Sequence, residues 1–253
     1  MQGDPVKVTA RVSNGSGNPG EPDYAPDVRG LAVSFHLADG SATDIVSQSA
    51  PRFPVKTTEE FFELLEATRP SLSSAVRLPL FLATHPTALR SMKDNVAAIR
   101  PPPSYASCRY FPVHAYRWVA SDGSSTHVRY TWLPEREEAR LSPGHAKPRG
   151  RDYLQEEMAE RLQGGVAKFT LQVQLAEEGD DVDDPSSRWP EDRKRVDVGS
   201  LELDALAPEI ETDGGVVVFD PVRVTDGIEL SNDPILLFRP KAYSASVEHR
   251  LKA

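Results

Sequence analysis

An arginine and a tyrosine near the end of the chain have the types and the spacing that metal chemistry needs. Arg239 and Tyr243 are four residues apart, so on a helix both side chains would lie on one face. A guanidinium beside a phenol stabilises the phenolate form, and a phenolate is a hard anionic ligand that suits ferric iron. The pair is therefore a candidate iron ligand with its activator, although the same pair also occurs on ordinary helix surfaces.

Other chemical patterns are absent from the sequence or have simpler interpretations. The acidic stretch 177–192 lacks the glycine and the closing glutamate of a calcium-binding loop, which favours a solvated surface loop. Cys108 is interpreted as a small buried apolar residue. The sequence has no G-x-S-x-G elbow and no Walker or Rossmann glycine pattern. The histidines show no zinc-binding spacing; they are His36, His85, His114, His127, His145 and His249.

The element that must position Arg239 and Tyr243 is a helix predicted to begin near Asp233 and Pro234. Pro240 directly follows Arg239. A proline inside a helix removes a hydrogen bond and clashes with the preceding turn. We therefore expect the helix to kink at Pro240 or to restart there.

Alternating apolar and polar residues predict several strands elsewhere in the chain. The stretch 42–48 is expected to return along 31–37 as a hairpin. Ser121–Gly123 is the expected turn of a second hairpin. The predicted strands are 6–13, 31–37, 42–48, the two arms within 114–134, 166–176 and 196–206.

Three further helices are predicted between the strands. Thr57 followed by Glu60 has the spacing of a capping box. A second helix is predicted over about 80–98, and a third over Arg151–Leu162, ended by the glycines at 164–165. Strands with helices between them and at the end indicate an α+β fold with an antiparallel barrel or large sheet. Without a linker or an internal repeat, residues 1–253 are expected to form one domain.

Composition limits the classes of partner and the location of the protein. The 253 residues carry a formal net charge of -9, which argues against nucleic-acid binding. No apolar run reaches the ~18 residues that a membrane span needs, so we expect no membrane partner. The first residues lack the pattern of a signal peptide. A single cysteine fits a reducing compartment, and we expect a cytoplasmic location.

The segment DPILLFRPKAYSASVEHRL, residues 233–251, resembles the proximal signature of the haem catalases. In that family an arginine four residues before a tyrosine activates the tyrosine as the axial ligand of the haem iron. Asp233 matches the acidic residue of the signature, and the HR pair at 249–250 matches its basic end. The resemblance implies that Tyr243 is the iron ligand and that Arg239 activates it.

Other segments resemble the same family in the same order along the chain. VTARVSNGSG resembles the strand that carries a distal-side arginine and serine, here Arg11 and Ser13. DVRGLAVSFHLADG and SDGSSTHVRYTWLPE also resemble catalase segments. Residues 151–203 are most similar to the small catalase-related peroxidases, which keep the barrel core and lack the C-terminal domain of full catalases.

The resemblance implies a catalase-like core, an antiparallel β-barrel with flanking α-helices. It implies a peroxidase with haem b that reduces hydrogen or organic peroxides with a small organic reductant, has weak catalase activity at most, and allows a homo-oligomer. The implied catalytic residues are Arg239 and Ser13. The implied cofactor-binding residues are Tyr243, Arg239, Arg11, Asp233 and His114.

The chain departs from the family pattern at the distal side of the haem. Family members carry a distal histidine upstream of the strand that holds Arg11, and the sequence has no counterpart because Met1 directly precedes that strand. The alternative expectation is therefore a haem-binding protein with little turnover. His114 is expected to be a haem-facing residue or a plain strand residue. Ser244 stands where full catalases carry proline.

Overall fold

The fold is built around two antiparallel sheets. The computed structural model describes residues 3–16, 18, 20–69, 74–207 and 217–251, with only the backbone of Ser74 and of residues 244–251. One sheet has the strand order β1-β2-β3 and the other the order β7-β6-β5-β4-β8. The strands are β1 Val8–Asn14, β2 Arg29–His36, β3 Ala42–Gln48, β4 Ala115–Val119, β5 Ser125–Pro134, β6 Ala167–Leu175, β7 Arg195–Leu203 and β8 Ile228–Leu230.

Both predicted hairpins are confirmed. Strand β3 returns antiparallel along β2, and β5 returns along β4. Gly40 and Gly123 stand in the two turns with φ angles of 85° and 82°, a left-handed conformation that glycine adopts without steric cost. The short strand β8, which the sequence did not predict, pairs with β4.

The helices lie between β3 and β4, between β5 and β6, and after β8 along the chain. The predicted single helix over about 80–98 is wrong, because it is two helices separated at His85. Pro86 has no N–H to donate, and it holds the backbone of His85 outside the helical region, at φ -121° and ψ 75°. The helices are α1 Thr58–Thr68, α2 Ser74–Thr84, α3 Pro86–Asn95, α4 Pro143–Ala146, α5 Tyr153–Gly164 and α6 Pro234–Leu251.

The helix over the C-terminal segment begins where the sequence predicted. It continues through Pro240 rather than restarting there. Among the described residues, no helix is both long and apolar enough to cross a membrane.

A short segment between the helices and β4 links the two sheets. Phe111 exchanges two backbone hydrogen bonds with Gln48 of β3, at 2.7 and 3.1 Å. Tyr110 makes the same exchange with Trp132 of β5, at 3.0 and 2.8 Å. The main core lies against this link and takes side chains from both sheets and from α5.

The antiparallel sheets and the flanking helices agree with the predicted α+β class. The predicted closed barrel is not confirmed. Over the described ranges, β1 pairs only with β2 and β7 pairs only with β6, so the strands do not form one continuous ring.

Candidate functional site

The arginine and the tyrosine of α6 are in direct contact. Arg239 Nη1 donates a hydrogen bond of 2.8 Å to the phenol oxygen of Tyr243. Both side chains are half-buried. The one-turn spacing predicted from the sequence therefore brings the Arg239 guanidinium to the Tyr243 oxygen, the atom that would bind iron. Pro240, which lies between the two residues, does not prevent this contact.

A buried histidine–aspartate pair lies at the start of the same helix. His114 Nδ1 is 2.6 Å from Asp233 Oδ2, and each side chain is 1% exposed. A carboxylate only accepts hydrogen bonds, so the proton of this contact is on Nδ1 of the imidazole. His114 stands one residue before β4, and thus in the connection that leads into the strand.

The second oxygen of Asp233 caps α6. Asp233 Oδ1 accepts hydrogen bonds from the backbone N–H groups of Ile235, at 2.8 Å, and Leu236, at 3.2 Å. Side-chain oxygens of this kind satisfy backbone donors that have no partner in the first turn of a helix. One carboxylate therefore fixes both the beginning of α6 and the orientation of the His114 ring.

The charge on Arg239 acts on the histidine. Burial lowers the pKa of His114, and the Arg239 guanidinium lowers it further, while the contact with Asp233 raises it; the net direction is down. A neutral imidazole with its proton on Nδ1 has an acceptor lone pair on Nε2. In the described part of the chain, this buried Nε2 has no hydrogen-bond partner. The Tyr243–Arg239 pair and the His114–Asp233 pair thus form one electrostatically coupled group.

Arg11 and Ser13 lie on β1 and not on the elements that carry this group. The guanidinium carbon of Arg11 is 5.1 Å from the centre of the Phe219 ring, which places Arg11 beside the segment that leads to β8. Ser13 faces Gly30 on β2, where an added Cβ would approach Ser13 Oγ to 2.6 Å. Their distal-side roles stay predictions, and the side chains of the HR pair at 249–250 lie outside the described residues.

The group on α6 has the donor chemistry that a haem iron requires. A phenol oxygen with a charge-assisted hydrogen bond would supply one ligand to the iron, and the macrocycle would supply others. Apolar side chains stand next to it on α6: the ring of Phe238 meets that of Phe62 edge-on at 5.7 Å. Phe62 and Leu237 are about half exposed, at 53% and 49%, so apolar surface is available to a flat apolar ligand. The residues on and beside α6 therefore fit a haem.

Comparison with known proteins places the chain in a family. The family model described as catalase matches residues 1–253. The chain belongs to the catalase family. A catalase-related peroxidase of Mycolicibacterium paratuberculosis is 46% identical over 99% of this catalase-family chain and 80% of its own length. A catalase-related peroxidase of Synechococcus elongatus is 31% identical over 100% of the chain and 75% of its own length.

Solved structures support the fold of this catalase-family chain. A bacterial catalase superposes with a TM-score of 0.83 at 21% identity, over 96% of the chain and 50% of the catalase. A fungal catalase gives the same TM-score at 22% identity, over 98% of the chain and 53% of the catalase. The chain therefore has the catalase-like fold that the resemblance implied, and it spans about half the length of these catalases.

The sequence named His114 and Asp233 separately and did not predict that they form a pair. They are 119 residues apart in the chain, and nothing in the local pattern of either residue indicates the other. A weak signal was available in the sequence. His114 lies between apolar residues, in VHAY, and Asp233 precedes an apolar helix, so each needs a polar partner if it is buried.

Proposed function

We propose that the chain is a haem-dependent peroxidase that reduces hydrogen peroxide or organic peroxides with a small organic reductant, with weak catalase activity at most. Membership of the catalase family supports the class, an oxidoreductase that acts on peroxide. The observation that carries the haem proposal is the 2.8 Å hydrogen bond from Arg239 to the Tyr243 oxygen.

The proposal assigns the cofactor to α6. Tyr243 would supply the protein's ligand to the iron of haem b, and Arg239 would activate that ligand through its charge-assisted hydrogen bond to the Tyr243 oxygen. When bound, the haem iron supplies the redox chemistry that delivers two electrons to a peroxide. Arg11, on β1, would offer a positive charge to an anionic haem substituent, and Ser13 would lie on the same strand two residues away.

The His114–Asp233 pair would act as a positioning device behind this ligand. Asp233 fixes the His114 ring, and the neutral imidazole presents an acceptor rather than a second positive charge near Arg239. The guanidinium charge is then balanced by the Tyr243 oxygen and by Asp233. We infer that Arg239 is the cation that acts on the Tyr243 oxygen, through the hydrogen bond between them.

Haem reconstitution tests the ligand. We expect the purified chain to take up haem with a Soret band and high-spin ferric features, and Tyr243→Phe to lose these features because its ring offers no oxygen. Tyr24→Phe, a change in a half-buried tyrosine near β2, is the matched control and should retain them. The measurement is the absorption spectrum at equal haem and protein concentrations. Failure of the unaltered chain to bind haem would remove the proposed function.

Turnover is tested separately from binding. With haem bound, peroxide-dependent oxidation of an organic donor should exceed the rate of free haemin, because the protein orients the ligand and the reactants. A rate equal to that of haemin, with the spectrum intact, would contradict the peroxidase and leave a haem-binding protein with little turnover.

A further inference from the structure

An apolar cavity of about 170 Å³ lies between the two sheets, apart from the residues that would bind iron. Its aromatic wall consists of Tyr116, Trp118 and Tyr130, which belong to the five-stranded sheet. Strand β3 of the other sheet contributes Ile45, and β7 contributes Val198. An apolar cavity of roughly 150 Å³ holds one benzene ring, so a space of this size suits a ligand with a single aromatic ring.

The cavity wall also contains one carboxylate with an unused oxygen. The Asp44 side chain is fully buried. Its Oδ2 accepts a hydrogen bond of 2.8 Å from the backbone N–H of Asp220 and lies 3.2 Å from Arg223 Nη1. Its Oδ1 has no hydrogen-bond partner among the residues described. Buried polar atoms are nearly always paired, so the free oxygen indicates a ligand that brings a hydrogen-bond donor.

We propose that this cavity binds the organic reductant of the enzyme, a single-ring phenol or aromatic amine whose O–H or N–H group donates to Asp44 Oδ1. The ring would pack against the aromatic wall, and the donor group would satisfy the one polar atom left open there. This inference rests on the proposed peroxidase function, because it assigns the reductant of that reaction.

The aromatic wall of the cavity extends toward α6. Trp118 Nε1 donates a hydrogen bond of 2.7 Å to the Tyr130 hydroxyl, and the Tyr130 and Tyr116 rings are 5.4 Å apart. Tyr116 in turn lies in one buried cluster with Leu236 of α6. Electron-rich rings thus extend from the cavity to the buried face of α6, the helix that carries Arg239 and Tyr243.

The electron and proton balance of the reaction agrees with this placement. Reduction of one hydroperoxide to an alcohol and water consumes two electrons and two protons. Two phenol molecules bind in turn, and each gives one electron along the rings of the wall and one proton from its hydroxyl group to Asp44. Asp44 releases that proton to solvent as the phenoxyl radical leaves the cavity, and the peroxide takes up its two protons from solvent. Two phenoxyl radicals are the oxidised product.

Binding to the haem-free chain tests the site without any turnover. Phenol is the probe, and toluene, which has the same ring without the hydroxyl group, is the control ligand. We expect phenol to shift the indole N–H signal of Trp118 in NMR spectra and to bind more tightly than toluene. Asp44→Asn should weaken phenol about tenfold, since hydrogen bonds to charged acceptors are about twice as strong as neutral ones, and should leave toluene nearly unchanged.

A pair of variants on β7 separates filling of the cavity from general damage. Val198→Phe places a ring inside the cavity and should abolish binding of both probes. Val196→Phe, two residues away on the same strand and 36% exposed, should bind phenol normally. Equal phenol binding by the unaltered chain and by Val198→Phe, or no phenol binding by the unaltered chain, would overturn the proposal.

The haem-loaded protein distinguishes this proposal from the proposed function. In Val198→Phe, peroxide-dependent phenol oxidation should show a KM raised at least tenfold, with the haem spectrum unchanged. Phenol oxidation without phenol binding at the cavity would contradict the reductant site and leave the peroxidase standing. If the chain binds phenol but takes up no haem, the proposed peroxidase function is contradicted, and the cavity is then not a reductant site.

Discussion

At the scale of single residues, Asp233 joins His114 to the first turn of α6, and the candidate site depends on it. One of its oxygens accepts from His114 and the other accepts from two backbone N–H groups of α6. The residue was identifiable from the sequence as the acidic member of a family motif. Its capping role was implicit in an aspartate before Pro234, since aspartate is a preferred residue at this position. Its contact with His114 was not predictable, because that contact is set by the packing of β4 against α6.

Removal of Asp233 should therefore cost more stability than a cap alone. Asp233→Ala loses the cap and leaves His114 Nδ1–H buried without an acceptor, which we expect to lower the free energy of unfolding by about 2 to 4 kcal/mol. Asp233→Asn keeps an oxygen for the cap and should lose less. The measurement is urea denaturation, with the exposed Asp226→Ala as control, for which a change within about 0.5 kcal/mol is expected. A loss no greater than that of the control would refute the coupled role.

At the scale of elements, local sequence was informative wherever a local interaction decides the structure. The start of α1 is the clearest case. Thr57 Oγ1 accepts from the Glu60 N–H at 3.2 Å, and Glu60 Oε2 accepts from the Thr57 N–H at 3.4 Å and from the Lys56 N–H at 2.9 Å. The capping box predicted from two residue types is thus present in both directions.

The cap of α1 should have a measurable share in stability. Thr57→Ala removes the acceptor of the Glu60 N–H and should lower the free energy of unfolding by about 1 kcal/mol. Thr58→Ala is the matched control, because the Thr58 hydroxyl donates to the Glu59 carboxylate and takes no part in the capping box. If both variants unfold at the same urea concentration, the cap observed in the structure does not contribute to stability.

Elements without a strong local signal were predicted less well. The stretch 80–98 has helix-forming residues throughout, and the break at His85 depends on the single proline that follows it. The strand β8 has three residues and exists through its pairing with Tyr116, Arg117 and Trp118 of β4. Its sequence alone does not distinguish it from a turn, because a strand this short is stabilised by its neighbour.

At the scale of the whole molecule, the interior is unusual in its number of buried tyrosines. Tyrosines at five positions are at most 6% exposed; they are Tyr105, Tyr110, Tyr116, Tyr130 and Tyr153. The sequence showed them only as strand, helix or loop residues, since periodicity predicts which face is buried and not how the elements enclose it. Burial raises the pKa of all five phenols, to about 12 for Tyr130 and Tyr153.

These raised pKa values predict that the fold loses stability in alkali. A tyrosine in the unfolded chain releases its proton near pH 10, whereas Tyr130 in the fold keeps its proton until about pH 12 because of burial. Between these values the unfolded state binds fewer protons than the folded state, so the free energy of unfolding falls as pH rises. Below pH 10 both states hold the proton, and this contribution is fully present. Each such tyrosine should lower stability by about 1.4 kcal/mol per pH unit within the window.

Urea denaturation at several pH values from 9 upward measures the slope, and Tyr130→Phe should reduce it by the share of one group. The comparison uses slopes, because Tyr130→Phe also loses the hydrogen bond from Trp118 at every pH. Tyrosinate absorption that develops fully near pH 10 in the folded protein would show that these phenols are not held neutral by burial.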